Sequence, residues 1–163
     1  MNMKCGICGR ILENSEDPLS SDCGGDCWGC IGETEADSGY IPSLEQVRLE
    51  YAAGLRPNLI FSPKISFNYT PSPSGCVVVE AQIKLSKPNG APWAGEVISV
   101  CLVCSTVKEN FRQVSQEEKL TTNSAGNINF VFTFPEVKNY EKLYVEVFLE
   151  KTKWRYPVVL PNS

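Results

Sequence analysis

The sequence predicts a mainly β protein in three parts: a small cysteine-rich module at the amino end, one linking helix, and an antiparallel β-sandwich. Three observations predict it. Five of the eight cysteines fall between Cys5 and Cys30. A short amphipathic stretch with helix start and stop residues follows. From about Leu59 onward, apolar residues alternate with period two between turn-forming clusters. The chain of 163 residues is long enough for one ordinary domain and a small satellite. The divisions this suggests are a module at 1–35, a linker at 36–58 with its helix at 44–53, and a sandwich at 59–163. There is no internal repeat.

The module has few apolar residues. Ile7, Ile11, Leu12, Leu19, Trp28 and Ile31 are too few to build a core, so such a segment needs a metal or disulfides to fold. Its start, from Met1 to Gly6, lacks the apolar stretch of a signal peptide. No apolar run in the chain reaches membrane-spanning length. The expectation is a cytoplasmic protein, in a reducing compartment where paired cysteines bind metal more often than they form disulfides.

The linking helix is signalled by Pro42 and by Ser43 as N-cap, with Gln46 three residues on as its capping-box partner and Glu45 in the first turn. Leu44, Val47 and Tyr51 make one apolar stripe, which predicts docking onto a neighbouring core. Gly54 supplies the stop, and Pro57 prevents resumption.

The sandwich strands are read from Ile65, Phe67 and Tyr69; from Val77, Val79, Ala81, Ile83 and Leu85; from Glu96 to Ser105, apolar on both faces; from Ile128, Phe130, Phe132 and Phe134; from Leu143, Val145, Val147 and Leu149; and from Trp154, Tyr156, Val158 and Leu160. A weaker strand lies near Gln116 to Thr122. Turns fall at Pro71–Gly75, Lys87–Gly90, Asn123–Gly126 and Pro135. Links this short exclude helical crossovers and make the pairing antiparallel. Cys101 and Cys104 lie inside one strand, three residues apart and so on opposite faces. They read as small apolar residues and not as a metal pair.

Two stretches carry a resemblance. Lys87-Pro88-Asn89-Gly90-Ala91-Pro92-Trp93-Ala94-Gly95-Glu96-Val97 is followed by Leu120-Thr121-Thr122-Asn123-Ser124-Ala125-Gly126-Asn127-Ile128. The pattern resembles the turns of bacterial Ig-like domains of the invasin type, and it implies an Ig-like sandwich over roughly residues 59–160. In the chain itself, Gly90 and Gly126 suit turn positions with positive φ.

The chemistry is in the first module. Cys5, Cys8, Cys27 and Cys30 form C-x2-C-x18-C-x2-C, a spacing expected of a zinc site. Two residues between thiolates let both sulfurs reach one ion from a tight turn, and two such turns complete a tetrahedron. The pattern resembles zinc-ribbon and treble-clef modules, which implies one structural Zn2+ per chain. Cys23 is an alternate ligand, since Cys23-x3-Cys27 is also workable. Trp28, inside the second pair, packs over the cluster, against the helix or against the sandwich, or else marks a partner contact.

There is no histidine, which removes Ser-His-Asp and Cys-His catalysis and leaves a zinc site only thiolates or carboxylates. No phosphate-binding or dinucleotide motif is present. Residues 1–40 set two basic residues, Lys4 and Arg10, against eight acidic ones, a net −6 within a chain of net −4. This argues against nucleic acid, which needs Lys and Arg to meet phosphate. The sequence therefore points to a non-enzymatic interaction or adaptor protein with a protein partner. A thiol-redox or metal-responsive switch and a nucleic-acid-associated zinc protein remain the alternatives.

Overall fold

The computed structural model describes residues 3–73, 76–105, 111–113, 115–134 and 142–159. The chain divides into two compact units, one of Met1–Phe61 with Lys87–Gly90, the other of Ser62–Ser86 with Ala91–Ser163.

In the first unit two short hairpin contacts, Lys4 with Ile11 and Asp22 with Cys27, precede two helices, α1 (Trp28–Asp37) and α2 (Ile41–Ala52). The first helix was not anticipated. Gly29 and Gly32 are poor helix formers, yet both sit in close packing. A Cβ on Gly32 would lie 2.8 Å from the Trp28 ring, and one on Gly29 would lie 3.3 Å from Cys27 Sγ. The second helix starts at Ile41 and not at Leu44. Its N-cap is Tyr40, without a side-chain cap, and Pro42 occupies the first turn. Ser43, expected as the cap, sits inside the helix and donates its hydroxyl to Glu35 Oε2, while Gln46 bonds Glu50. Both helices end in the same way. Gly39 and Gly54 take positive φ. The amides of Gly39 and Tyr40 bond Ala36 and Glu35 carbonyls, and those of Gly54 and Leu55 bond Tyr51 and Glu50 carbonyls, so each end is a Schellman motif. The expected stripe docks: Leu44, Val47 and Tyr51 pack with Trp28, Ala36, Leu59 and Phe61. The loop Lys87–Gly90 belongs to this unit, with Arg48 Nε donating to the Pro88 carbonyl at 2.9 Å.

The second unit is a β-sandwich-like pair of antiparallel sheets. One sheet has the order β1 (Lys64–Pro71), β2 (Val77–Lys84), β6 (Asn127–Phe134). The other has the order β4 (Phe111–Gln113), β3 (Val97–Ser105), β7 (Lys142–Leu149), β8 (Thr152–Val158), with β5 (Glu118–Thr121) also on β3. The alternation read in the sequence is the burial pattern found in β2, β6 and β7, and β3, read as apolar on both faces, is buried on both from Val100 onward. Val79, Ala81 and Ile83, Ile98, Val100 and Leu102, Ile128, Phe130 and Phe132, and Leu143, Val145, Val147 and Leu149 are buried. The weak strand near Gln116–Thr122 is β5, and β4 was not anticipated. Both predicted turn glycines have positive φ, Gly90 at 86° and Gly126 at 75°. Ser74, Gly75, Pro135 and Leu160 lie outside the described residues. Among the described residues no helix is long and apolar enough to cross a membrane.

Cys101 and Cys104 are both buried. Their strand partners, Glu146 and Leu143, lie on opposite faces of the sheet. Burial, and then the Glu146 carboxylate, push the Cys101 thiol up to about 11, so it stays protonated.

Candidate metal centre

The first sulfur pair comes from a knuckle. The Cys5 amide bonds the Arg10 carbonyl at 2.8 Å, and the Gly9 amide bonds the Cys5 carbonyl at 2.9 Å. Gly9 makes the reversal with φ 74°. The Cys8 amide then points at Cys5 Sγ, 3.5 Å away.

The second pair does not sit on a second knuckle, as the sequence suggested, but on a helix start. Cys27 is the N-cap of α1 and Cys30 lies in its first turn, with the Cys30 and Ile31 amides bonded to the Cys27 carbonyl. The positive end of the helix dipole thus faces the sulfurs and favours thiolate.

These elements bring Cys5, Cys8, Cys27 and Cys30 together, with all four Sγ atoms within 4.8 Å of one another. Cys8–Cys27 and Cys27–Cys30 are 3.6 Å apart and Cys5–Cys30 is 3.9 Å. A tetrahedron with metal–sulfur bonds near 2.3 Å has edges of about 3.8 Å, whereas a disulfide holds its sulfurs at about 2.05 Å. The donor set is soft and all sulfur, three of its edges are close to those of a tetrahedron, and the four residues could hold a metal ion. Cys23 lies apart and exposed, its thiol 3.7 Å from the Ser21 carbonyl.

The sulfurs do not share their protons evenly. Burial opposes ionisation of Cys5, but amides of Cys27, Cys8 and Ile7 outweigh it and bring the thiol down to about 6. The Arg10 backbone and the Cys30 thiol lower Cys8. Burial holds Cys27 and Cys30 up. Burial and the Asp22 carboxylate raise Cys23. Any metal taken up here must displace the remaining protons. The chain matches no protein-family model and no curated protein.

Sequence reasoning missed the charged pair behind the cysteines. Arg56 Nε donates to Glu50 Oε2 at 2.7 Å, Nη1 to the Gly29 carbonyl at 2.7 Å, and Nη2 to the Trp28 carbonyl at 3.4 Å. Glu50 Oε1 accepts from Trp28 Nε1 at 2.8 Å and from Gln46 Nε2 at 2.9 Å. The side chains of Arg56 and Glu50 are only 4% and 8% exposed. Trp28, one of the open questions of the sequence, therefore packs against α2. In hindsight, a lone arginine just past Gly54 was the available signal, but nothing in the sequence says which acid it meets.

Burial opposes the Glu50 carboxylate, yet its bonds from Gln46, Trp28 and Arg56 bring it below its ordinary value of 4.5. A depressed carboxylate stabilises the fold fully above the ordinary value and loses that contribution as pH falls through the folded one. The Trp28 indole N–H resonance is therefore expected to titrate with a midpoint below pH 4.5, and Glu50→Gln removes the titration. A midpoint at or above 4.5 contradicts the geometry.

Proposed function

We propose that Cys5, Cys8, Cys27 and Cys30 hold one structural Zn2+, and that the chain is a non-enzymatic interaction protein. The clustering of four sulfurs within 4.8 Å of one another, with three separations of tetrahedral edge length, carries this reading. Four protein ligands close the coordination shell and leave no position for a reacting water. The knuckle followed by a helix-start pair resembles a treble clef more than a zinc ribbon. The invasin-type turn motifs support an Ig-like second unit that offers loops and strand edges to partners.

The partner favoured is a protein with a basic surface. Residues 1–40 carry net −6, and four thiolates around a divalent ion add a formal charge of about −2. Of the two cations there, Arg10 is already paired with Asp17, which leaves little to meet phosphate.

Elemental analysis of purified chain is expected to find one zinc per chain, and replacement by Co2+ is expected to give the absorption of a tetrahedral thiolate site. Iron in place of zinc overturns the metal identity. A metal-free chain with these sulfurs in disulfides overturns the site. A partner retained equally by metal-loaded and metal-stripped protein overturns the role of the first unit.

A further inference from the structure

We propose that Arg56 is the positioning residue of the metal centre, setting the separation of Cys27 and Cys30 from outside the cysteine motif. This rests on the metal reading above. Only Trp28 and Gly29 separate these two cysteines, and Arg56 binds the carbonyls of both. The guanidinium is itself held by Glu50 at 2.7 Å, with Glu33 3.8 Å away. Glu50 in turn is held by the Trp28 indole. The result is a closed ring: the Trp28 backbone, Arg56, Glu50, and back to the Trp28 side chain.

The ring fixes both ends of one residue inside the helical turn that spaces the two sulfurs at 3.6 Å. A planar fork with several donors can hold two adjacent carbonyls and a carboxylate at once, which an ammonium cannot. Burying such a pair is costly and contributes little net stability compared with an apolar filling. Here the pair gives the second ligand pair a defined orientation, as outer-shell partners do around metal sites. Glu50 and Arg56 come from α2 and the segment after it, so the apparatus that positions the sulfurs reaches well past Cys30.

The competing explanation is that the ring only fastens α1 to α2. Val47, fully buried in the cluster that Trp28 packs against, helps to fasten them but makes none of the ring's hydrogen bonds. The test is zinc release to an excess of chelator, with the Co2+ spectrum as a second readout, in the full chain. Arg56→Lys keeps the charge and loses the fork. It is expected to release zinc about 10–100-fold faster and to shift the Co2+ bands. Glu50→Gln, which weakens the hold on Arg56, is expected to fall between it and the native chain. Val47→Ala is expected to lower the unfolding temperature while leaving the release rate and the bands unchanged. Native release rates in both ring variants, or equal acceleration in Val47→Ala, overturn the proposal and leave the zinc reading intact. A native chain that takes up no metal overturns both.

Discussion

Cys27→Ser is expected to yield a chain that retains no metal and whose first unit loses its order. Cys27 is fully buried and caps α1. Its sulfur lies 3.6 Å from those of both Cys8 and Cys30, so it joins the knuckle to the helix. Its removal also takes one of the three buried members of the local core, Cys5, Leu12 and Cys27. A core this small cannot compensate. Structural zinc in small domains contributes an apparent ~10–16 kcal/mol, as much as the whole stability of an ordinary domain. Metal analysis after dialysis is expected to fall from one zinc per chain to none. The Trp28 indole resonance is expected to collapse to its unfolded position, while the resonances of the sheets persist. Cys23→Ser is the control and is expected to keep both metal and order. A Cys27→Ser chain with full zinc content would show that the four-sulfur assignment is wrong.

The second large effect is expected in the other unit. Gly126 closes the Asn123–Gly126 turn with φ 75°, and its amide bonds the Asn123 carbonyl at 2.9 Å. The Leu85 amide donates to the Gly126 carbonyl, also at 2.9 Å. A Cβ at this position would lie 2.4 Å from the Leu85 carbonyl oxygen and 3.0 Å from the Trp93 amide nitrogen. These are backbone atoms, which cannot rotate aside. Left-handed backbone on a residue with a Cβ costs about 1–3 kcal/mol, and overpacking adds about 1–3 kcal/mol more. Gly126→Ala is thus expected to destabilise the sheets by about 2–5 kcal/mol in denaturant unfolding, with zinc content unchanged. At Gly90, whose φ is 86° with only Arg48 side-chain atoms nearby, the same change is expected to cost less. A Gly126→Ala chain as stable as the native one would contradict the close approach.

The parts of this fold legible in the sequence are those written in local patterns. Period-two alternation placed β1, β2, β6, β7 and β8, because one buried face demands it, and a run apolar on both faces placed β3, which is buried on both. Lys87-Pro88-Asn89-Gly90 and Asn123-Ser124-Ala125-Gly126 placed two of the turns, because φ turns positive at each closing glycine. The cysteine spacing named four residues whose sulfurs do meet. What stayed hidden depends on contacts distant in the chain. The helix α1 is built on Gly29 and Gly32, whose poor propensity is overruled by the Trp28 ring and Leu19 packed against them. It has no recognisable start in the sequence, since Cys27 caps the helix without a side-chain bond. Ser43 has every local mark of a cap and is displaced because Glu35, from the preceding helix, takes its hydroxyl. The ring of Arg56, Glu50 and Trp28 joins residues up to 28 positions apart, and no spacing rule encodes it. The strand β4 has three residues, too few to show a period.

Two short strands share the same side of β3: β5 pairs with Val97–Val100 and β4 with Val103–Ser105. Between them the Leu102 amide is met by the Ser115 hydroxyl at 2.8 Å, not by a third strand. Among the described residues, a stranger chain approaching this flank finds no continuous ladder to extend. It finds two fragments of three and four residues, the second carrying Glu118 and Lys119. Short, interrupted and charged borders of this kind are how natural sheets avoid templating their own aggregation. The broken strand therefore keeps the most apolar strand of the molecule, β3, from recruiting copies of itself.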